Sequence, residues 1–200
     1  MSLPDELRQQ IETEWILAKG WGELERVIEI AKLILEEKPK RCLEVGVFAG
    51  RGLITAALAL RHVGDGYIVG IDPWKNEPCL EGENEANKEW WSKVDFEEIY
   101  QELMATIFRL GLENVALTLR ARSQDVYWLF NDLDLLVIDG NHSEIVSCRD
   151  VEMYLPKVKP GGIISFDDTT WPSTQKALEK VNAQCSIVKA FENHTIYRKT

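Results

Sequence analysis

The sequence predicts an α/β fold: a doubly wound, mostly parallel sheet of seven strands, with helices on both faces and an antiparallel hairpin at its C-terminal end. Two observations support this prediction. From residue 41 onward, short apolar runs of strand character alternate with stretches of helical periodicity, which is typical of parallel sheets with crossover helices. The last two apolar runs have no helix between them, so we expect them to pair as a hairpin.

The first 38 residues are predicted to be helical. Apolar side chains recur at three- and four-residue spacing over 24–35, which gives one apolar stripe. A glycine-containing break at 20–22 separates this helix from an earlier amphipathic one, and Pro39 ends it. We therefore expect a helical extension over 1–38, placed either to cap a pocket or to contact a second copy, and one domain over 39–200.

The strands and helices of that domain follow each other in a regular order. Because ligands bind beyond the carboxyl ends of parallel strands, chemistry-bearing residues are sought there. The strands are expected over 42–47, 67–72, 115–119, 133–139, 162–167, 185–191 and 195–198, and the helices over 53–62, 96–110, 144–157 and 174–182.

The segment 73–93 interrupts the alternation. It is polar, acidic and rich in tryptophan, and it is longer than an ordinary strand-to-helix connection, as binding loops often are. One interpretation is a disordered surface segment. The other is a structured flap, which Trp74, Trp90 and Trp91 favour because disordered segments are poor in aromatic residues.

The composition excludes several classes of partner. The 23 Lys and Arg against 33 Asp and Glu give a formal charge of −10, which argues against nucleic acid and anionic membranes and favours a neutral or cation-bound small molecule. The N-terminus lacks the apolar stretch of a signal peptide and no run is long enough to span a bilayer, so we expect a cytoplasmic protein. The cysteines have no metal-type spacing and are expected to be free thiols; they are Cys42, Cys79, Cys148 and Cys185.

A glycine cluster between the first strand and its helix indicates a ligand site. Residues 43–52 are LEVGVFAGRG, and glycines there allow a ligand to approach the backbone beside the free N–H groups of a helix start. The spacing GxxxGxG differs from the dinucleotide pattern GxGxxG, and no Lys-Ser or Lys-Thr follows as in a P-loop. Asp72 ends the second strand, where a carboxylate can accept hydrogen bonds from ribose hydroxyls or instead serve a turn.

At this point the chain resembles the class I S-adenosylmethionine-dependent methyltransferases, which have a Rossmann-like fold. LEVGVFAGRG is similar to their first motif, GIDPW to their acidic second-strand motif, and residues 121–125 to their adenine segment. The resemblance implies three groups of cofactor contacts. They are Glu44, Gly46 and Gly50 at the methionine part, Asp72 at the ribose, Ser123 and Gln124 at the adenine, with Asp139 as a further contact.

Three acids follow two later strands. Asp139 ends one of them, and Asp167 and Asp168 end the next. Neighbouring parallel strands lie about 4.8 Å apart, so the three carboxylates would converge and repel unless something neutralised them. A cation with oxygen ligands, Mg²⁺, Mn²⁺ or Ca²⁺, would do so. The alternative is that these acids serve only as a helix cap and a turn.

A histidine lies three residues after the first of these acids. His142 is suited by its ordinary pKa of about 6.5 to act as a general base, whereas His62 at a helix end and His194 in a turn are interpreted as structural.

The stretch IDGNHSEIVSCRDVEMYLPKVKPGGIISFDD is similar to a signature of metal-dependent small-molecule O-methyltransferases, including macrolide sugar O-methyltransferases and methyltransferase domain family 24. The resemblance implies that Asp139, Asp167 and Asp168 hold magnesium and that His142 is the base. The sequence departs from the signature at three positions on the substrate side: Asn141 for an acid, Glu144 for an aromatic residue and Ile145 for a glutamate.

These expectations combine into one hypothesis: metal-dependent methyl transfer from S-adenosylmethionine to a hydroxyl of a small molecule such as a sugar, polyol or catechol. The alternatives left open are a non-catalytic S-adenosylmethionine-binding protein and a methyltransferase without metal dependence. A homo-oligomer is also left open. Four tryptophans are expected to wall the pocket, the last of them nearest the acceptor: Trp74, Trp90, Trp91 and Trp171.

Overall fold

A computed structural model describes residues 2–200. Seven strands form one sheet in the order β3-β2-β1-β4-β5-β7-β6. The first five run parallel, and β7 runs antiparallel to both β5 and β6, which confirms the predicted Rossmann-like α/β fold. The strands are β1 Arg41–Val45, β2 Tyr67–Asp72, β3 Ala116–Arg120, β4 Leu133–Ile138, β5 Val158–Asp167, β6 Cys185–Ala190 and β7 His194–Lys199.

Nine α-helices are present in the described part of the chain, including two over the N-terminal stretch that was predicted to be helical. Short 3₁₀ turns extend α8 and precede α9. The helices are α1 Asp5–Leu17, α2 Leu24–Glu37, α3 Arg51–Val63, α4 Asn76–Cys79, α5 Glu85–Trp91, α6 Phe96–Leu110, α7 Ser123–Val126, α8 Glu144–Tyr154 and α9 Gln175–Asn182.

The strand whose predicted start differs most from the structure is β5, whereas the other starts agree to within one residue. It was predicted over 162–167 but begins at Val158, and its register against β4 shifts between Val158 and Ile163. The extra residues of β5 bulge out there, and Gly161 takes a φ of +80° in the bulge. Glycine adopts that conformation freely, so the Pro-Gly-Gly sequence forms a bulge within the strand.

Apolar side chains cover both faces of the sheet. Alternate strand residues face opposite sides, as Leu43 and Cys42 do, and join two separate core clusters. One cluster contains α1, α2, α3 and α6, and the other contains α8 and α9. The N-terminal helices therefore belong to a core that they share with α3, through side chains such as Val27 and Ala31, which are fully buried.

The chain reverses its winding direction at the centre of the sheet, between β1 and β4. Gly46 follows β1 there, and a Cβ atom on it would lie 2.1 Å from the carbonyl oxygen of Asp139 after β4. Only glycine permits this approach, which holds the ends of the two central strands together. Among the described residues, no helix is both long and apolar enough to cross a membrane, and the four cysteines are free.

Candidate active site

A cavity of about 640 Å³ opens beyond the carboxyl ends of the parallel strands, where this class of fold binds its ligands. Its walls come from the glycine loop, the α1–α2 connection, the segment after β2 and the loops after β4 and β5. All the predicted cofactor-contacting and acidic residues line this one cavity, together with His142.

Glu44 lies under the start of α3 and is buried with an unpartnered oxygen. A Cβ atom on Gly52 would lie 2.1 Å from Glu44 Oε1, so the glycine makes room for this carboxylate. Within residues 2–200, Glu44 Oε2 has no hydrogen-bond partner. Burial, and then the charge of Asp139, raise the pKa of Glu44 well above its ordinary value. A cationic ligand group at Oε2 would satisfy this oxygen and favour its charged form.

Asp72 fastens the glycine loop to the end of β2. Its Oδ2 accepts hydrogen bonds from the backbone N–H groups of Val47 and Phe48, both at 3.0 Å, and its Oδ1 accepts one from Trp74 at 2.7 Å. Burial raises the pKa of Asp72 despite these bonds. A carboxylate has about four acceptor sites, so one site on Oδ1 remains for a ligand hydroxyl.

Ser123 and Gln124 line the far end of the cavity, beside a buried carboxyl group that the sequence did not single out. Ser123 Oγ donates to Asp150 Oδ1 at 2.5 Å, and the Tyr154 hydroxyl donates to the Ser123 carbonyl at 2.7 Å. Burial raises the pKa of Asp150 to about 6. This arrangement fixes the position of Ser123 at the cavity wall.

The three acids that follow β4 and β5 lie together, and an arginine joins two of them. Arg26 Nη2 donates to Asp139 Oδ2 at 2.7 Å, and Arg26 Nη1 lies 2.5 Å from Asp167 Oδ2. Burial lowers the pKa of Arg26, but the two carboxylates outweigh it and the pKa is raised. The pKa of Asp167 is raised by burial and by the negative charge of Asp139.

The third acid, Asp168, pairs with the histidine. Asp168 Oδ2 lies 2.9 Å from His142 Nδ1, and Asp168 Oδ1 accepts a hydrogen bond from Asn193. Burial lowers the pKa of His142, but the bond to Asp168 and the neighbouring carboxylates raise it above its ordinary value. His142 Nε2 has no hydrogen-bond partner in the described part of the chain, and the ring lies 5.2 Å from that of Trp171. A neutral imidazole donating from Nδ1 leaves Nε2 as the proton acceptor.

These residues do not fit the predicted magnesium ion. Among the described residues, no group of three or more His, Cys, Asp or Glu side chains is arranged to hold a metal. Asp139 and Asp167 do converge as expected, but Arg26 occupies the space between them, and Asp168 is turned toward His142. A cation would need the same carboxylate oxygens, beside a like charge. In the structure these acids take part in a network of ion pairs, and the expected metal centre stays a prediction.

The segment after β2 is folded over the cavity, which agrees with the flap interpretation. Its helices α4 and α5 are joined by Asn76, whose side-chain amide donates to the carbonyls of Trp91 and Val94. Asn141 donates from its amide to the carbonyls of Cys79 and Glu81 at 3.2 and 3.0 Å. A carboxylate at this position could not donate these bonds.

Three of the four tryptophans predicted to wall the pocket do line the cavity, and one does not. Trp90, Trp91 and Trp171 line it as expected, and Trp21 of the α1–α2 connection joins them with its ring 4.7 Å from that of Trp90. Trp74 was wrongly placed in the wall. It is 1% exposed, and its Nε1 donates to the Phe48 carbonyl, so it supports the glycine loop from below.

Besides Asp150, two further polar residues at the site were missed or misread from the sequence. Arg26 shares one helical face with Ile30 and Ile34, and a charged residue within a buried stripe was the available signal. His194 begins β7 opposite Asp167, is buried beside the cavity and stacks on Phe191 at 4.0 Å. Burial, and then the charge of Arg26, lower the pKa of His194 to about 4, so it is neutral.

Comparison with known proteins adds sequence and structural relatives. A family model described as a methyltransferase domain matches residues 43–169. Flavonoid 3',5'-methyltransferase of Vitis vinifera is 27% identical over 71% of this chain and 52% of its own length. Tricin synthase 1 of Oryza sativa subsp. japonica is 32% identical over 68% of this chain and 47% of its own length. The chain therefore spans about half the length of these relatives. The SAH-bound methyltransferase PaMTH1 of Podospora anserina superimposes with a TM-score of 0.67 at 15% identity, covering 100% of this chain and 90% of that one.

Proposed function

The chain belongs to the methyltransferase domain family, and on that premise we propose that it transfers a methyl group from S-adenosylmethionine to a hydroxyl oxygen of a small molecule. The observation that carries the proposal is the presence, in one cavity, of a cofactor-type glycine loop with an unpartnered Glu44 oxygen and of a histidine with an unpartnered Nε2.

The residues at the glycine-loop end of the cavity suit S-adenosylmethionine. The free Oε2 of Glu44 would take the ammonium group of its methionine part, close to the backbone of Gly46 and Gly50. Asp72 would accept a ribose hydroxyl, and Ser123 and Gln124 would contact the adenine. When bound, the cofactor supplies a methyl group on a positively charged sulfur.

His142 would act as the general base. Asp168 holds Nδ1 and so leaves Nε2 to take the proton from the acceptor hydroxyl. The acceptor oxygen would then take the methyl group that the cofactor supplies, with cleavage of the carbon–sulfur bond leaving S-adenosylhomocysteine and a protonated His142. The flap and its aromatic residues exclude water from this step, so the contribution of the protein is orientation and electrostatics.

We propose a phenolic hydroxyl, of which the catechols expected from the sequence are an example, as the acceptor. A phenol has a pKa of about 10, whereas that of water, and similarly of an aliphatic hydroxyl, is about 16. A histidine that acts without the help of a metal ion removes a phenolic proton far more readily than an aliphatic hydroxyl proton. The ring of Trp171 beside His142, and the aromatic residues at the mouth, suit a flat acceptor.

A transfer assay tests the proposed function. The protein is incubated with methyl-labelled S-adenosylmethionine and separate panels of phenols, sugars and polyols, and the products are analysed by mass spectrometry. We expect O-methylated phenols from the intact protein and none from the His142→Ala variant, which should still bind S-adenosylhomocysteine. Cofactor binding without transfer to any panel would instead support a non-catalytic binding protein.

A further inference from the structure

Arg26 lies at a position where its positive charge is unfavourable unless neighbouring carboxylates compensate for it. Its side chain is 3% exposed, and it sits in the first turn of α2. Both burial and the positive end of the helix dipole disfavour a cation at such a position. The two carboxylates of Asp139 and Asp167 offset these costs. The location of the guanidinium is therefore specified by the acid pair.

The helix holds this side chain in place. Neighbouring residues of α2, such as Val27 and Ala31, are fully buried in the core shared with α3. Gly22 borders the guanidinium, and a Cβ atom at this position would lie 2.9 Å from Arg26 Nη2. Arg26 thus projects from a rigid element through a gap left by a glycine.

Every carboxylate of the expected metal set has a partner within the protein. Asp139 and Asp167 share Arg26, while Asp168 is bonded to His142 and Asn193. The guanidinium also keeps its charge at all working pH values and presents several fixed donors. It therefore supplies the positive charge that a cation would have supplied to this pair, through a hydrogen bond to Asp139 and an ion-pair contact with Asp167.

We propose that Arg26 takes the place of a divalent cation in this active site, so that the protein neither binds nor needs a metal ion there. Arg26 acts as a positioning residue: it holds the ends of β4 and β5 together and keeps their acids neutralised beside His142. The role in methyl transfer rests on the proposed function, whereas the exclusion of a cation does not.

Metal binding can be measured directly with Mn²⁺ as the probe. The intact protein and Arg26→Met are titrated with Mn²⁺ by electron paramagnetic resonance at neutral pH. Methionine has a similar length and packs well, but it carries no charge. We expect no site in the intact protein, and one Mn²⁺ bound per chain in Arg26→Met that is lost when Asp139→Asn is added.

A matched control removes a different arginine that pairs with an acid. Arg109 forms two hydrogen bonds to Glu14, at 2.9 and 2.6 Å, away from the cavity, so Arg109→Met should bind no Mn²⁺. Circular dichroism establishes that each variant is folded. A stoichiometric Mn²⁺ site in the intact protein would overturn the proposal without need of any variant. A folded Arg26→Met that binds no Mn²⁺ would also overturn it.

S-adenosylhomocysteine calorimetry on the same samples separates this proposal from the proposed function. Binding of S-adenosylhomocysteine with no binding of Mn²⁺ supports both. A protein that excludes Mn²⁺ but does not bind S-adenosylhomocysteine would refute the function and leave the role of Arg26 intact.

Discussion

His142 Nδ1 lies 2.9 Å from Asp168 Oδ2, across the loops that follow β4 and β5. Asp168 has a φ of +51°, a conformation in which most residues are strained. Its carbonyl accepts a hydrogen bond from the Thr174 hydroxyl at 2.7 Å, which helps to hold it. The strained aspartate thereby fixes the orientation of the histidine.

Loss of the histidine is expected to remove the base without removing the cofactor site. His142→Ala should lower kcat about 10²–10⁴-fold, the usual contribution of a general base, with S-adenosylhomocysteine affinity unchanged by calorimetry. Added imidazole should restore part of the rate. Full activity in the variant would mean that another group accepts the proton.

Substitution of the aspartate tests orientation. In Asp168→Asn the amide nitrogen can donate to Nδ1 and so favour the tautomer that protonates Nε2. We expect kcat to fall about 10–100-fold, as when other groups that orient a histidine are changed, and KM to stay similar. Proton-detected NMR of the imidazole reports the tautomer. An unchanged tautomer and rate would show that Asp168 does not set the orientation.

Substitution of Gly52, the last glycine of the loop, tests whether Glu44 binds the cofactor. Gly52→Ala introduces a Cβ atom 2.1 Å from Glu44 Oε1, which must displace that carboxylate. Affinity for S-adenosylhomocysteine should fall at least about tenfold, equivalent to roughly 1.4 kcal/mol. Glu44→Gln, which keeps the shape and removes the charge, serves as the companion variant. Calorimetric affinities that match those of the intact protein would show that Glu44 does not contact the cofactor.

Asp150 should make stability depend on pH in a defined direction. Its pKa is about 6 in the folded protein and about 3.9 in an unfolded chain. Between these pH values the folded state binds more protons than the unfolded state. The contribution of Asp150 to stability is therefore complete below pH 4 and is lost as the pH rises through 6. The loss is about 3 kcal/mol. The free energy of unfolding of Asp150→Asn, measured in urea at several pH values, should lack this part of the pH dependence. If the free energy of unfolding depended on pH in the same way in the intact protein and the variant, the prediction would be wrong.

The flap is expected to loosen when Asn141 is replaced by the acid of the family signature. Asn141→Asp removes the amide donor to the carbonyls of Cys79 and Glu81 and sets a negative charge against them. At about 1 kcal/mol for each lost bond, hydrogen exchange over 76–94 should become faster. Exchange as slow as in the intact protein would show that these bonds do not hold the flap.

Local pattern was sufficient to predict most of the fold, because each strand carries its own apolar run and each crossover helix its own stripe. Glycine spacing, strand-end acids and His142 likewise follow from short stretches of sequence. Arg26 could not be paired from the sequence, since its partners lie more than a hundred residues away and meet it only through the packing of α2 on α3. The side of the loop that Trp74 takes, and the burial of His194 at the start of β7, depend on tertiary packing in the same way.

The most direct test of the account is methyl transfer to a phenol by protein that has been freed of metal and is assayed in chelator. We expect the O-methylated phenol to form at the same rate with chelator as with added Mg²⁺, and not to form in His142→Ala. Transfer that stops in chelator and returns with Mg²⁺ would contradict the assignment of Arg26 in place of a cation. Absence of transfer under every condition would contradict the proposed function itself.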